Sequence, residues 1–344
     1  MVASSAAAST SASVAPLALP PPPTAPKGTV TDLADAPKPS FGVAVDAGSV
    51  YWAIYEGGDV LRVPRAGGPT ERLLGGQDFV NAIAADESGD VFWSIGHGMT
   101  PGGSIQRLAK GSHTATVFAA AQAGAKSVAV DATHVYWIVG GGYDGTGAVA
   151  DPAIRRRALR GGVVETVATG LAGPTRLVLD GDDVIFVVEG SPAFTGRGAV
   201  AKVPKRGGAV TVLAPQQTNP LGLSVDAGFV YWSVVGPLVT PPPPVCPKGT
   251  PCPIPSAVPI ADRGEVRRVP KGGGSVEILV KDLRSVGIVA ASAGTVYFSA
   301  DQATHAMPAT GGAARKLALG GSSQMVFRDG VAYAQIGGKI VALQ

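Results

Sequence analysis

Short hydrophobic runs alternate with polar turns along the chain, and one of them keeps returning. GVAVDAGSVYW (Gly42 to Trp52) recurs as SVAVDATHVYW (Ser127 to Trp137) and as GLSVDAGFVYW (Gly222 to Trp232). Looser copies are AIAADESGDVFW (Ala82 to Trp93), RLVLDGDDVIF (Arg176 to Phe186), GIVAASAGTVYF (Gly287 to Phe298) and MVFRDGVAY, which ends at Tyr333; that makes seven. Each copy reads as two strands. Strand A is the alternating GVAVD segment, and strand B is the aromatic VYW segment, whose β-branched and ring side chains suit a pleated, packed surface. A tight Asp-Ala-Gly turn joins them. A second unit of the form V-x-R-V-P-x-x-G-G follows at variable distance, at Val60 to Gly68, Val200 to Gly208 and Val266 to Gly273, with degenerate forms from Ile105, Ile154 and His305. This is strand C, ended by a proline that cannot donate to a continuing ladder. The paired glycines supply positive φ for a hairpin into strand D.

Four short strands per repeat, Gly-rich turns and no helical periodicity select a β-propeller. The fold class is therefore all-β, a seven-bladed β-propeller of four-stranded blades, with six blades as the alternative. The last repeat, ending GKIVALQ (Gly338 to Gln344), supplies strands A, B and C but no D. GTVTDLADAPKPS (Gly28 to Ser40) reads as the missing D strand. An N-terminal strand completing the last blade would close the ring and remove two sheet edges.

The VYW segments, each with an Asp ahead of them, resemble the repeats of YWTD-type and NHL-type β-propellers over about residues 29–344. The resemblance implies the fold and a secreted or surface-tethered bacterial kind of protein. Here Ala53, Ser94, Ile138 and Ser233 follow the Trp where the YWTD pattern has Thr-Asp, so receptor-type ligand binding is not implied.

Composition adds two facts. Only 15% of residues are charged and the net charge is +3, with no basic stripe, so nucleic acid is not an expected partner. Residues 1–28 are almost all Ala, Ser, Thr and Pro, too poor in bulky side chains to offset their ordering entropy. They are expected to be a disordered tether. This is the composition that follows the lipid-modified cysteine of bacterial surface lipoproteins, but residues 1–28 contain no cysteine. Membrane association is thus expected only through a removed N-terminal anchor. The location is expected to be extracytoplasmic, and the protein a monomer.

The recurring Asp46, Asp86, Asp131, Asp180 and Asp226 are expected to accept backbone N–H bonds in the A–B turns, since one position in every blade implies one structural task. Arg62, Arg107, Arg156, Lys202 and Arg268 recur on strand C and are expected to lie over neighbouring blades or to pair with rim carboxylates. The A–B and C–D turns are uniformly short and share one face. The D–A and B–C connections share the other, and the B–C loops vary, the longest being the Pro-rich insertion at residues 236–264 in blade five. Variable loops on a rigid scaffold are where binding resides. On that face the residues ahead of strand A, namely Asn81, Lys126, Ser127, Thr175, Arg176, Arg284 and Gln324, are expected at the mouth of the central channel, where the cations would hold an anionic or carbohydrate-like ligand.

Glu56, His97, Glu189 and Asp301 end B strands and are metal-ligand types, but they lie on blades spread around the ring, so no metal and no cofactor is expected. No catalytic residues are assigned: no Ser-His-Asp or Cys-His spacing and no phosphate loop occur. Cys246 and Cys252, in C-P-K-G-T-P-C within the insertion, are expected to form a local disulfide. These features suggest a noncatalytic binding or interaction module for a protein, glycan or small anionic ligand. The alternative is a propeller-type lyase or lactonase with a metal at the channel mouth.

Overall fold

The computed structural model describes residues 29–344 except 56, 78, 97–102, 141–151, 191–196, 240–257, 260–261 and 323. The tether and the cysteine pair therefore lie outside the described residues. Every regular element described is a strand, and seven four-stranded antiparallel sheets form the blades of a β-propeller. Strand A of each blade (Ser40–Val45, Val80–Ala85, Lys126–Val130, Pro174–Asp180, Pro220–Val225, Val289–Ser292, Met325–Arg328) packs against strand A of the next, all the way round. A two-stranded ladder, Leu238–Val239 with Val258–Pro259, stands inside the blade-five insertion, which the sequence pattern marks only as loop.

The aromatic dipeptides explain how the blades stick. A strand sends successive side chains to opposite faces, and in a radial sheet both faces meet a neighbour. Trp52 packs toward blade seven and Tyr51 toward blade two; Trp137 packs toward blade two and Tyr136 toward blade four. The core is consequently seven clusters, one in each gap between adjacent blades. Trp52, Trp93, Trp137 and Trp232 are all fully buried.

The turn face is tied by the recurring polar residues. Asp46 Oδ1 accepts the N–H groups of Gly48 and Ser49 at 2.7 Å, while its Oδ2 accepts the Tyr51 hydroxyl at 2.8 Å. Burial, and then the Asp46 carboxylate, push the Tyr51 hydroxyl up to about 12, so it remains a donor. Asp86, Asp131 and Asp226 cap their turns in the same way. The cation that follows the strand-C proline reaches back to the preceding blade: Arg65 to Asp329 (2.8 Å), Lys205 to Asp131 (2.9 Å) and Lys271 to Asp180 (2.7 Å). The strand-C cations pair within their own blade, as Arg62–Glu71, Arg156–Glu165, Arg268–Glu277, Arg107–Asp90 and Lys202–Asp183.

Closure follows the expected route. Val30–Asp35 pairs antiparallel with Lys339–Leu343, running from Val30 opposite Leu343 to Asp35 opposite Lys339. The buried Gln335 amide locks the joint: its Nε2 donates to the carbonyls of Ala36 (2.6 Å) and Lys38 (2.8 Å), and its Oε1 accepts the Ser40 N–H (2.8 Å) and hydroxyl (2.6 Å).

Deleting residues 29–36 unpairs the last strand and exposes the gap filled by Leu33, which is 8% exposed. Burial of one such side chain is worth about 1.5–3 kcal/mol, against a domain total of about 5–15 kcal/mol. The truncated chain should melt well below the parent in a calorimetric scan and aggregate on heating. A second outcome concerns acid. Burial opposes ionisation of Asp131, but the Lys205 ammonium and the N–H groups of Thr133 and His134 outweigh it and hold the carboxyl well below the usual range. Its folded value lies below the unfolded value of about 3.9. The clamp's contribution is thus complete above that pH and is lost as pH falls through the folded value. Urea melts across pH should show Asp131→Asn less stable at neutral pH, with a shallower loss below about pH 4.

Candidate functional site

Each blade leaves the inner edge of its A strand outside any sheet ladder, so seven strand edges surround the axis. Serine hydroxyls of neighbouring blades accept some of their N–H groups, Leu177 to Ser127 and Ala291 to Ser224 at 2.9 Å. They enclose a channel of about 720 Å³. In a regular radial strand, side chains point at the neighbouring blades. Five of the seven A strands break that rule at their start with a β-bulge, marked by register shifts between Ser40 and Val43, Val80 and Ala82, Lys126 and Val128, Pro174 and Arg176, and Pro220 and Leu223. A bulge inserts one extra residue and re-aims side chains. Phe41, Asn81, Ser127, Thr175 and Leu221 occupy these positions, and all five line the channel. Gly42 and Gly222 fall at two of the bulges because the next blade is close: a Cβ would lie 2.6 Å from Gln324 Oε1 at one and 2.6 Å from Val289 N at the other.

Of the residues expected at the mouth, Asn81, Lys126, Ser127, Thr175, Arg176 and Gln324 line this channel, and Glu189 joins them. Asn81 Nδ2 donates to the Ala125 carbonyl at 3.1 Å, which ties blade two to blade three. Ser127 Oγ accepts the Leu177 N–H at 2.9 Å. Thr175 Oγ1 is buried without a hydrogen-bond partner in the protein. Arg284 corrects the expectation. It lies outside the lining, where its guanidinium grips the Asp262 carboxylate at the exposed base of the insertion, with Nη2 donating to Oδ2 at 2.8 Å. A nearby carboxylate beyond the mouth has captured the charge.

The electrostatics of the mouth centre on blades three and four. Burial lowers the pKa of Lys126, and Glu189 opposes the shift; burial likewise raises Glu189, and Lys126 opposes that. Burial also lowers Arg176. Two cations and one carboxylate thus face a partly dehydrated space, where a charge-assisted hydrogen bond is stronger than in bulk water.

Asp301 stands at the exposed blade-six B–C turn, where its Oδ1 accepts the Arg284 N–H at 3.3 Å, and it does not line the channel. Glu56 and His97 lie outside the described residues. Among the described residues no three His, Cys, Asp or Glu side chains are grouped to hold a metal ion. The bulges were not legible in the repeats, because an extra residue at the start of strand A leaves the A-B spacing that follows it unchanged.

No protein-family model matches the chain, and no curated protein matches it by sequence. Among solved structures it is similar to hydrazine synthase of Kuenenia stuttgartiensis (14% identity, covering 90% of this chain and 96% of that one, TM-score 0.63). It is also similar to the β-propeller domain of the Trilobed protease of Pyrococcus furiosus (9% identity, 90% and 94% covered, TM-score 0.58). A gluconolactonase from Xanthomonas campestris is a third (15% identity, 92% and 89% covered, TM-score 0.50). At these identities the likeness is one of fold: the chain is a seven-bladed β-propeller.

Replacing Lys126 by Met takes away the cation that holds the Glu189 carboxyl down. An NMR titration should then find the Glu189 carboxyl ionising at higher pH than in the parent protein.

Proposed function

We propose that the protein is a noncatalytic, extracytoplasmic binding module that holds a small anionic ligand at the channel mouth on the face carrying the D–A and B–C loops. The observation that carries this reading is the placement of Lys126 and Arg176 on adjacent blades of one channel wall, with Glu189 as the acidic residue lining the same channel. Burial lowers the pKa of both cations. A ligand carboxylate or phosphate would supply counter-charge in a space of limited solvation. The Ala/Ser/Pro-rich segment at residues 1–28 serves as the tether, and the Cys246–Cys252 pair as a loop staple suited to an oxidising compartment. Kinship to YWTD-type and NHL-type propellers belongs to the same reading, through the repeated Asp and VYW elements.

Calorimetric titration with acetate, succinate, citrate and inorganic phosphate tests it. At least one of these should bind, more weakly as salt is raised. A hydrogen bond to a charged group contributes about 1.5–3 kcal/mol, so Lys126→Ala and Arg176→Ala should each weaken that binding by about tenfold or more. Loss of neither, or chemical turnover of the bound anion, would overturn the reading.

A further inference from the structure

On the blade-one side of the same mouth stands a group of rings that the cations do not explain. Phe41 and Tyr55 have ring centroids 4.7 Å apart with planes at 60°, and Tyr55 and Phe79 meet edge-on at 6.0 Å and 83°. Tyr55 N–H donates to the Pro39 carbonyl and Phe79 N–H to the Tyr55 carbonyl at 3.3 Å, so the shelf is fixed to the backbone of the D–A and B–C connections. Phe41 is 48% exposed and Phe79 42%, while Tyr51, Phe92, Tyr136, Phe186, Tyr231 and Phe298 are buried in the gaps between blades.

Two backbone features hold the rings outward. Phe41 sits in the blade-one bulge, which puts it on the channel wall. Phe79 has φ 64, the left-handed region that a bulky side chain adopts only at an energetic cost and that clusters at ligand-binding positions. Water gains nothing from an exposed ring. A flat ligand face of C–H groups, lying on the electron-rich ring face, does.

The mouth therefore offers an aromatic shelf on blade one and cations on blades three and four. Between them run strand edges that present both N–H donors and C=O acceptors. A hydroxyl group matches such an edge because it donates and accepts at once. An aromatic acid of equal charge would satisfy the shelf and the cations but leave the edges to water. The geometry points to an acidic saccharide, a pyranose bearing a carboxylate, as the ligand class of this site: its C–H face lies on Phe41, its hydroxyls meet the strand edges, and its carboxylate meets Lys126 and Arg176. This inference rests on the anion-binding reading above.

The test is calorimetric titration of the full chain with glucuronate, a galacturonate trimer, glucose, benzoate and acetate. The uronates should bind at least tenfold more tightly than acetate, glucose or benzoate. Phe41→Ala and Phe41→Leu should each lower uronate affinity about tenfold and leave acetate binding unchanged, whereas Phe41→Tyr, which keeps the ring, should retain it. Phe41 is half-exposed, so these variants should fold, and an unchanged melting temperature confirms it. Acetate or phosphate binding that depends on Lys126 and Arg176, with no preference for uronates and no effect of Phe41→Leu, would overturn this inference and spare the anion site. Tighter binding of benzoate than of glucuronate would overturn it in favour of an aromatic acid. Absence of binding by every anion would remove the underlying reading as well.

Discussion

Each blade of this protein has two apolar faces and can bury neither alone. Trp and Tyr, adjacent in strand B, point into different gaps, so every blade depends on both its neighbours. An open row of blades would leave two such faces in water, and the ring must close. Closure is made by chain ends that are most of the sequence apart, through the ladder of Val30–Asp35 with Lys339–Leu343 and the Gln335 amide that grips the following connection. The cation-to-carboxylate clamps of the turn face reinforce this joint through Arg65–Asp329 and repeat the task at two others.

The channel is the geometric remainder of that packing. Radial sheets bring seven inner edges together but cannot pair them with one another, because adjacent A strands belong to different sheets. A wall of strand edges outside any ladder results, polar by construction, with the Ser127 and Ser224 hydroxyls already accepting two of its N–H groups. On the turn face, charges cancel within the scaffold: carboxylates meet arginines, lysines and turn N–H groups. On the loop face the bulges turn side chains inward, and Lys126 and Arg176 line the channel there with Glu189, while farther out Asp59 meets Arg72 and Asp262 meets Arg284. One scaffold thus carries a neutralised, structural face and a chemically uneven one.

The uneven face also shows how small backbone irregularities confer function on a repetitive fold. Blades six and seven have regular A strands and add Val289 and Met325 to the lining, whereas blades one to four add Phe41, Asn81, Ser127 and Thr175 from bulges. The repeat that builds the ring is the same in all of them. What differs is one extra residue.

Periodicity alone determined much of this protein. The A-B-C-D pattern, the missing D strand of the last repeat, the capping role of Asp46, Asp86, Asp131 and Asp226 and the strand-C cation pairs all depend on local spacing, which a repeated sequence displays many times over. Asp180, expected to cap its turn as well, instead pairs with Lys271 of the next blade. The location of Asn81, Lys126, Thr175, Arg176 and Gln324 on the channel wall likewise follows from their position in the repeat. Arg284 was misplaced because its partner, Asp262, belongs to an insertion outside the period. Gln122 and Gln217, whose carbonyls accept the indole N–H groups of Trp137 and Trp232 at 2.9 and 3.0 Å, carry no signal beyond an ordinary polar residue near a strand end. The shelf of Phe41, Tyr55 and Phe79 was also hidden, since an aromatic residue in a β-rich sequence reads as core. Whether a ring is buried between blades or held out at the mouth depends on a bulge and on a left-handed backbone, and those are decided only when neighbouring blades press against one another.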